Sequence, residues 1–477
     1  MTQLYAKDLS HHLSIEAKSR TAEQIKAAFK HFKDPNIVSL GGGLPTPDLF
    51  PFNSIEVSSL APPFKNGIDV LPQSDEDLLK ITIDKYTHPD STDLPLSVSL
   101  QYGPSFGHPQ IIQFIKEHNK IIHNPKYEDW DVILSVGNTQ AWDATLRTFT
   151  NRGDTILAEQ FTFSSSAECA RAHGLTVAPV LTDLEGIIPE ALDKQLENWE
   201  GPMPKLLYTI PTGQNPTGGT LSEERRRAVY KLAQKYDFII VEDEPYYFLQ
   251  MDEYVEKSDR TPDNLDKHSF IKTLVSSYIS LDTEGRVVRL DSFSKVLAPG
   301  ARLGWIVGQK NLLEKYLKQH DVTIQIASGF AQSIVNGLLQ RWGQEGYLNW
   351  LLELRRTYTN KRNAALDAVE AYVPKEIAEW IPPTAGMFFW IKIDASKHAD
   401  FVSKYDSDPE KLELDIYQAG IDHGVLMIPG HWFLVKEKNH PKGTSMFFRG
   451  TFASVTEDKL QVGLKLFGEV LRKQFNL

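Results

Sequence analysis

At 477 residues with a formal net charge of −11, this chain is too long for one minimal core and too acidic for a primary nucleic-acid function, which needs a basic face against phosphates. A local cationic pocket for an acidic ligand remains compatible with that balance. The one cysteine, Cys169, allows no internal disulfide, the first residues lack an apolar signal core, and no apolar run is long enough to cross a bilayer, so a soluble cytoplasmic protein is expected.

In chain order, Ala22–Phe32 places Ile25, Phe29 and Phe32 at helical spacing. Ile37–Pro47 is an extended piece ending in a glycine and proline turn. Residues 53–100 are polar and proline-punctuated, and read as a long connection with some local helix. Regular structure begins near residue 130, with strand-like runs at Val132–Val136, Thr155–Ala158, Thr176–Leu181, Leu206–Ile210, Phe238–Glu242, Val287–Leu290 and Leu303–Val307. Helical patterns such as Gln140–Thr150 and Ser222–Tyr236 intervene. Alternation of this kind predicts an α/β domain with a largely parallel sheet, which places ligands at the carboxyl ends of its strands. Residues 251–285 are charged and irregular and read as a surface insertion. A long helix is predicted from Gly346 to about Val373, and Met387–Ile393 and Met446–Phe452 read as strands of a smaller C-terminal α+β domain.

Lys295 stands in the run Arg289-Leu-Asp-Ser-Phe-Ser-Lys-Val-Leu-Ala-Pro-Gly-Ala-Arg302, between two serines and an arginine and next to predicted strands. A lysine held beside hydroxyls and a fixed cation suits one that bonds a cofactor aldehyde near a phosphate, as pyridoxal phosphate (PLP) requires. Ser292, Ser294 and Arg302 would hold that phosphate. The run also reads as a basic surface loop.

Other segments have two readings each. Asp243 ends a strand, where a carboxylate would pair with a protonated pyridine nitrogen; Glu242 and Glu244 flank it, and side-chain alternation decides which acid points inward, with Asp243 favoured. Pro211-Thr-Gly-Gln-Asn-Pro-Thr-Gly-Gly219 is either a plain turn-rich loop or a rigid mount for the Asn215 amide. Gly137-Asn-Thr-Gln140 joins a strand to a helix, so Asn138 and Thr139 either cap the helix or form a phosphate cup at its N-terminus. Phe163 is a core phenylalanine or a stacking platform. Arg449, inside an aromatic strand, must meet an anion or reach solvent, and its planar fork suits a carboxylate. Tyr102 is a turn tyrosine, or it reaches a phosphate, that of a neighbouring subunit included.

Taken together and in this order, the segments resemble fold-type I PLP enzymes, the aspartate aminotransferase superfamily, from about residue 37 to the end of the chain. Ser39–Pro45, Leu100–Pro104, Glu242–Gln250, Asp291–Lys295 and Pro383–Phe388 are similar to the branch holding mammalian 2-aminoadipate/kynurenine aminotransferase. Thr209–Gly218 and Ser280–Arg286 make the chain most similar to the fungal aromatic aminotransferase I group. The resemblance implies an α/β fold-type I PLP-dependent transferase with a large mixed, mostly parallel sheet domain and a smaller α+β domain. It implies a domain order of 1–50 (N-terminal arm and part of the small domain), 51–345 (large PLP-binding domain) and 346–477 (small domain).

Residue by residue, the resemblance makes Lys295 the cofactor-bonding lysine and proton shuttle, and Asp243 the partner of the ring nitrogen. Asn215 and Tyr246 would bond the ring oxygen, Phe163 would stack on the ring, and Asn138, Thr139, Ser292, Ser294 and Arg302 would hold the phosphate with Tyr102 from the partner subunit of a homodimer. Arg449 would bind the substrate α-carboxylate and Gly43 would leave room above the ring. Where the family carries an N-terminal arginine toward the distal end of the substrate, this chain has Lys26, a point charge rather than a fork. No metal is implied. The expected reaction moves an amino group from aromatic amino acids or 2-aminoadipate to 2-oxoglutarate or another 2-oxo acid. The alternatives are another PLP reaction, such as a lyase or decarboxylase, and a kynurenine-preferring aminotransferase. DNA-binding regulators share this fold behind a winged helix, but fewer than 40 residues precede the glycine turn here, too few for such a domain.

Overall fold

Strands rich in Val, Ile and Leu bury both faces, which demands a sheet covered on each side. The computed structural model describes residues 4–21, 34, 36–38, 40–86, 88, 91–436 and 443–477. Strands β1 (Ser54–Leu60) and β2 (Leu78–Asp84) pair antiparallel. Then follow β3 (Trp130–Ser135), β4 (Thr155–Glu159), β5 (Thr176–Val180), a short ribbon of β6 (Thr182–Asp183) and β7 (Gly186–Ile187), β8 (Leu206–Thr209), β9 (Ile239–Asp243), β10 (Val287–Ser292) and β11 (Gly304–Gln309). The main sheet has seven strands in the order β3-β11-β10-β9-β8-β4-β5. Strand β11 is antiparallel to both of its neighbours; the other pairs are parallel. A second sheet holds β12 (Ala378–Trp380), β13 (Phe388–Asp394), β14 (Ile428–Pro429) and β15 (Ser445–Thr451), antiparallel in the order β12-β13-β15-β14.

The seven predicted strands of the main sheet all form, with ends shifted by two residues at most. The predicted helices appear as Asn138–Phe149 and Glu223–Tyr236, the second capped by Ser222, whose side chain accepts from the Arg225 N–H. The predicted helix at Ala22–Phe32 lies outside the described residues.

Three readings need correction. Residues 53–100 are not a loose connection, because β1 and β2 form a hairpin there; Ile81 and Ile83 are buried with Leu96, against Ile334 and Leu338. Serines and charged residues between these apolar positions hid the alternation. The segment 251–285 is not wholly superficial, since Phe270, Tyr278 and Ile279 are fully buried and the N–H groups of Tyr278 and Ile279 donate to Glu242. The long helix begins at Gly329, not Gly346, and runs to Tyr372 with a break at Gly343 (φ 61°).

That helix joins two hydrophobic cores. Up to Leu354 its buried residues belong to the core of the main sheet, and from Ala365 they belong to the core of the second sheet, so the changeover falls later than residue 345. The first described residues also sit with the main sheet rather than the second. Leu13 and Ala17 join its core, and the Ser14 N–H donates to Thr148 O.

Under the sheet lies a buried charge network that ties β9 to the site. Glu242 and Glu244 point away from Asp243, as alternation requires. Arg226 donates to Glu244 at 3.4 Å, to Pro211 O and Thr212 Oγ1 at 2.8 Å each, and lies 3.7 Å from Glu242. Arg289 forks onto Asp291 at 2.7 and 2.9 Å and lies 3.3 Å from Glu242. Three carboxylates face two guanidinium groups; burial pushes the Glu244 carboxyl up, against the pull of Arg289 and with the Glu242 charge adding to it. Arg226→Met strands these acids and releases the loop at Pro211. The expected cost is about 3–5 kcal/mol, read as a lower urea midpoint; an unchanged midpoint would contradict this account.

Candidate active site

A cavity of about 270 Å³ opens at the carboxyl ends of β8, β9 and β10. It is lined by Asn138, Thr139, Phe163, Ser166, Ile210, Asn215, Asp243, Pro245, Tyr246, Ser292, Ser294, Lys295, Pro299, Arg302 and Phe388. Residues far apart in sequence meet here because the parallel strands all end on one edge of the sheet.

One end of the cavity is rich in donors to an anion. Ser292 Oγ and Ser294 Oγ are 2.6 Å apart, and Arg302 Nη1 lies 3.4 Å from Ser294 Oγ. The Arg302 guanidinium also bonds Pro299 O and Val136 O at 2.9 Å, so its partners are uncharged. Gly137 caps the helix Asn138–Phe149 with φ 94°, and a Cβ there would meet Arg302 Nη2 at 2.5 Å. Only glycine satisfies both conditions, and the free N–H groups of this helix start face an anion well.

Asp243 lies across the cavity floor, nearly buried. Its carboxylate accepts from Asn138 Nδ2 and from the Tyr208 hydroxyl, each at 2.6 Å. Burial pushes it up to about 6, partly offset by those two bonds. Lys295 is half-buried; burial and then the Arg302 charge lower its proton affinity.

The Asn215 loop is braced from several sides. Gln214 donates to Glu159 at 3.1 Å and to Phe161 O at 2.6 Å. Glu159 also accepts from Thr209 Oγ1 at 2.7 Å, and burial pushes its carboxyl up to about 7. Gly213 (φ 57°) and Gly386 (φ 84°) cross so closely that a Cβ on Gly213 would meet Gly386 Cα at 2.5 Å. That contact locks the loop against the second sheet.

Arg449 reaches the site from β15. Its Nη1 donates to Asn215 Oδ1 at 2.7 Å, and its guanidinium lies 4.4 Å from the Phe388 ring centroid and 4.6 Å from that of Phe433. Burial raises the pKa of the neighbouring Tyr246 hydroxyl.

The structure thus brings together Lys295, Asp243, Tyr246, Asn138, Thr139, Phe163, Asn215, Ser292, Ser294 and Arg302, with Arg449 one bond behind Asn215. The Asn138 side chain bonds Asp243 and Leu290 O (3.0 Å), which leaves its backbone N–H at the helix start for an anion. Tyr102 is 57% exposed and Gly43 has open space where a Cβ would stand; neither lines the cavity of this chain. Lys26 lies outside the described residues. Sequence reading missed Tyr208, Ser166 and Phe433. No motif marks Tyr208, although it lies one residue before Thr209, where the quoted loop stretch begins. Among the described residues, two groups of potential metal ligands exist away from the cavity. In His11–His12–Asp237, Arg286 reaches the aspartate at 3.4 Å; in Asp143–Cys169–His173, the histidine pairs with the aspartate at 2.7 Å.

The family model described as "Aminotransferase class I and II" matches residues 97–467, most of the chain. The chain belongs to the class I and II aminotransferases. An aromatic amino acid aminotransferase of Schizosaccharomyces pombe is 43% identical over 98% of each chain. The crystal structure of the aminotransferase Aro8 from Candida albicans has 50% identity and a TM-score of 0.96, covering 100% of both chains. The mitochondrial kynurenine/alpha-aminoadipate aminotransferase of Mus musculus is 30% identical over 92% of each.

The cofactor of this aminotransferase is PLP, and the cavity suits it. Asp243 is a buried carboxylate whose two hydrogen-bond donors among the described residues, Asn138 and Tyr208, are neutral, which suits it to a cationic ring nitrogen. Arg302 and the two serines are donors whose partners among the described residues are neutral oxygens. A half-buried lysine of lowered proton affinity, Lys295, lines the same cavity.

Proposed function

We propose that this aminotransferase takes aromatic amino acids, with 2-aminoadipate as a second donor class, and passes the amino group to 2-oxoglutarate or a similar 2-oxo acid. The observation that carries the reading is the Arg449 guanidinium near the Phe388 and Phe433 rings and bonded to Asn215: a cation set among aromatic rings beside the cavity. The names of the S. pombe and M. musculus relatives support the two donor classes. A role in aromatic amino-acid and lysine metabolism and a cytoplasmic location belong to the same proposal.

When bound, PLP supplies the electron sink that stabilises charge at the substrate α-carbon. Ser292, Ser294, Arg302, Thr139 and the backbone at Asn138 would hold its phosphate, Asp243 its ring nitrogen, Asn215 and Tyr246 its ring oxygen, and Phe163 its face. Arg449 would take the α-carboxylate as a fork and so orient the α-hydrogen. Lys295 Nζ would remove and return that proton, and its lowered proton affinity increases the free amine present near neutral pH.

The same reading includes two domains, meeting within the helix Gly329–Tyr372, and a homodimer. Val38 and Leu40 are 89% and 95% exposed, apolar surface that a second copy would cover, and exposed Tyr102 would then be free to enter the partner's phosphate site. Gly43 lies in the same exposed stretch, and Lys26 stays in the proposal as a contact to the distal end of the substrate.

The test is the cofactor absorbance of the purified enzyme with phenylalanine or 2-aminoadipate, together with product analysis. Both donors should bleach the cofactor band and yield their 2-oxo acids. Bleaching by 2-aminoadipate or kynurenine but not by phenylalanine would refute the aromatic assignment.

A further inference from the structure

Both oxygens of Asp243 accept a hydrogen bond from the protein. Asn138 Nδ2 bonds Oδ1 and the Tyr208 hydroxyl bonds Oδ2, each at 2.6 Å. A carboxylate only accepts, so Tyr208 is the donor of its bond. The Tyr208 oxygen is then left to accept, and Ser166 Oγ donates to it at 2.8 Å. Tyr208 is 1% exposed and does not line the cavity. Its ring packs on Trp142 at 4.6 Å between centroids, and Trp142 Nε1 donates to Ser166 O at 3.0 Å. The relay Ser166–Tyr208–Asp243 is thus fixed at every joint by a second contact, and every proton in it has one direction.

We propose that Tyr208, backed by Ser166, is a positioning residue for the cofactor: it fixes the Asp243 carboxylate toward the cavity and keeps it anionic despite burial. The inference rests on Asp243 as the partner of the ring nitrogen. A buried carboxylate with fewer donors holds a proton more tightly, and a protonated Asp243 no longer attracts a cationic ring. Burial already pushes Asp243 upward, and the Asp291 charge on β10 adds to it, while Tyr208 and Asn138 act against them. Glu159 on β4, Tyr246, Lys295 and Arg302 are the other titratable or charged groups around it. None of them is altered by removing one hydroxyl.

The experiment is equilibrium dialysis of the holoenzyme against PLP over a pH series, for wild type, Tyr208→Phe, Ser166→Ala and Asp243→Asn. Tyr208→Phe should weaken PLP binding about tenfold at neutral pH, the effect of losing a hydrogen bond to a charged group, and move the acid limb of PLP affinity upward by about one pH unit. Ser166→Ala should move the limb the same way by less. A role in packing alone would lower stability and leave the limb in place. Tyr208→Phe with wild-type affinity and an unmoved limb overturns the proposal. If that variant fails to fold by circular dichroism, Ser166→Ala decides by the same limb. Asp243→Asn with wild-type affinity would instead overturn the Asp243 reading itself, so the two failures are told apart.

Discussion

Lys295→Ala is expected to lower kcat by about 10⁴-fold, the upper end of what one positioned acid–base group supplies, with PLP binding retained. The reason lies in how the cavity divides its work. The anion donors Ser292, Ser294 and Arg302 and the carboxylate of Asp243 are separate groups on separate elements, so removing Lys295 leaves them in place. No other lining side chain can take its role as base. Asp243 is bonded to Asn138 and Tyr208, and burial raises the Tyr246 hydroxyl far above neutral pH. The check is a single-turnover measurement with phenylalanine alongside PLP retention after dialysis. Turnover within tenfold of wild type would remove Lys295 from the proton-transfer role. Loss of PLP together with turnover would show that the lysine mainly anchors the cofactor.

Arg449→Leu is expected to reduce kcat/KM by about 30- to 3,000-fold for every amino-acid donor, aromatic or dicarboxylic. Truncating one partner of a buried, hydrogen-bonded charge pair costs about 2–5 kcal/mol, and each 1.4 kcal/mol is tenfold. All donors suffer because all carry the α-carboxylate. The wild-type guanidinium is partly buried, which lowers its pKa, so a carboxylate arriving there meets a cation less screened by solvent. Arg449→Lys should recover only part of the loss: a lysine keeps the charge but not the fork, nor the flat packing between Phe388 and Phe433. Steady-state kinetics with phenylalanine and 2-aminoadipate provide the check. A defect confined to 2-aminoadipate would place Arg449 at the distal carboxylate instead.

Much of this site is legible before folding. Lys295, Ser292, Ser294 and Arg302 fall within 11 residues, Asn215 sits between two Pro-Thr-Gly triplets, and Asp243 ends an apolar run. Each belongs to a short local pattern whose geometry is set by turn chemistry and strand alternation, and these are properties a sequence carries directly. The order of strands and helices is legible for the same reason. The hairpin of β1 and β2 was not, because its apolar face is narrow and its partner, the helix from Gly329, lies more than 200 residues away.

The sequence by itself therefore determined the chemistry: a lysine, an acid and an anion cup arranged along a parallel sheet, in an order that marks the aminotransferase family. The tertiary structure alone decided which groups touch. It bonded the Asn138 side chain to Asp243, linked Ser166 through Tyr208 to that carboxylate, and brought Arg449 from β15 onto Asn215 beside two phenylalanine rings. Those contacts join residues 35 to 234 positions apart. Hydrogen bonds at 2.6–2.8 Å depend on how two sheets and their helices pack, and no local periodicity records that.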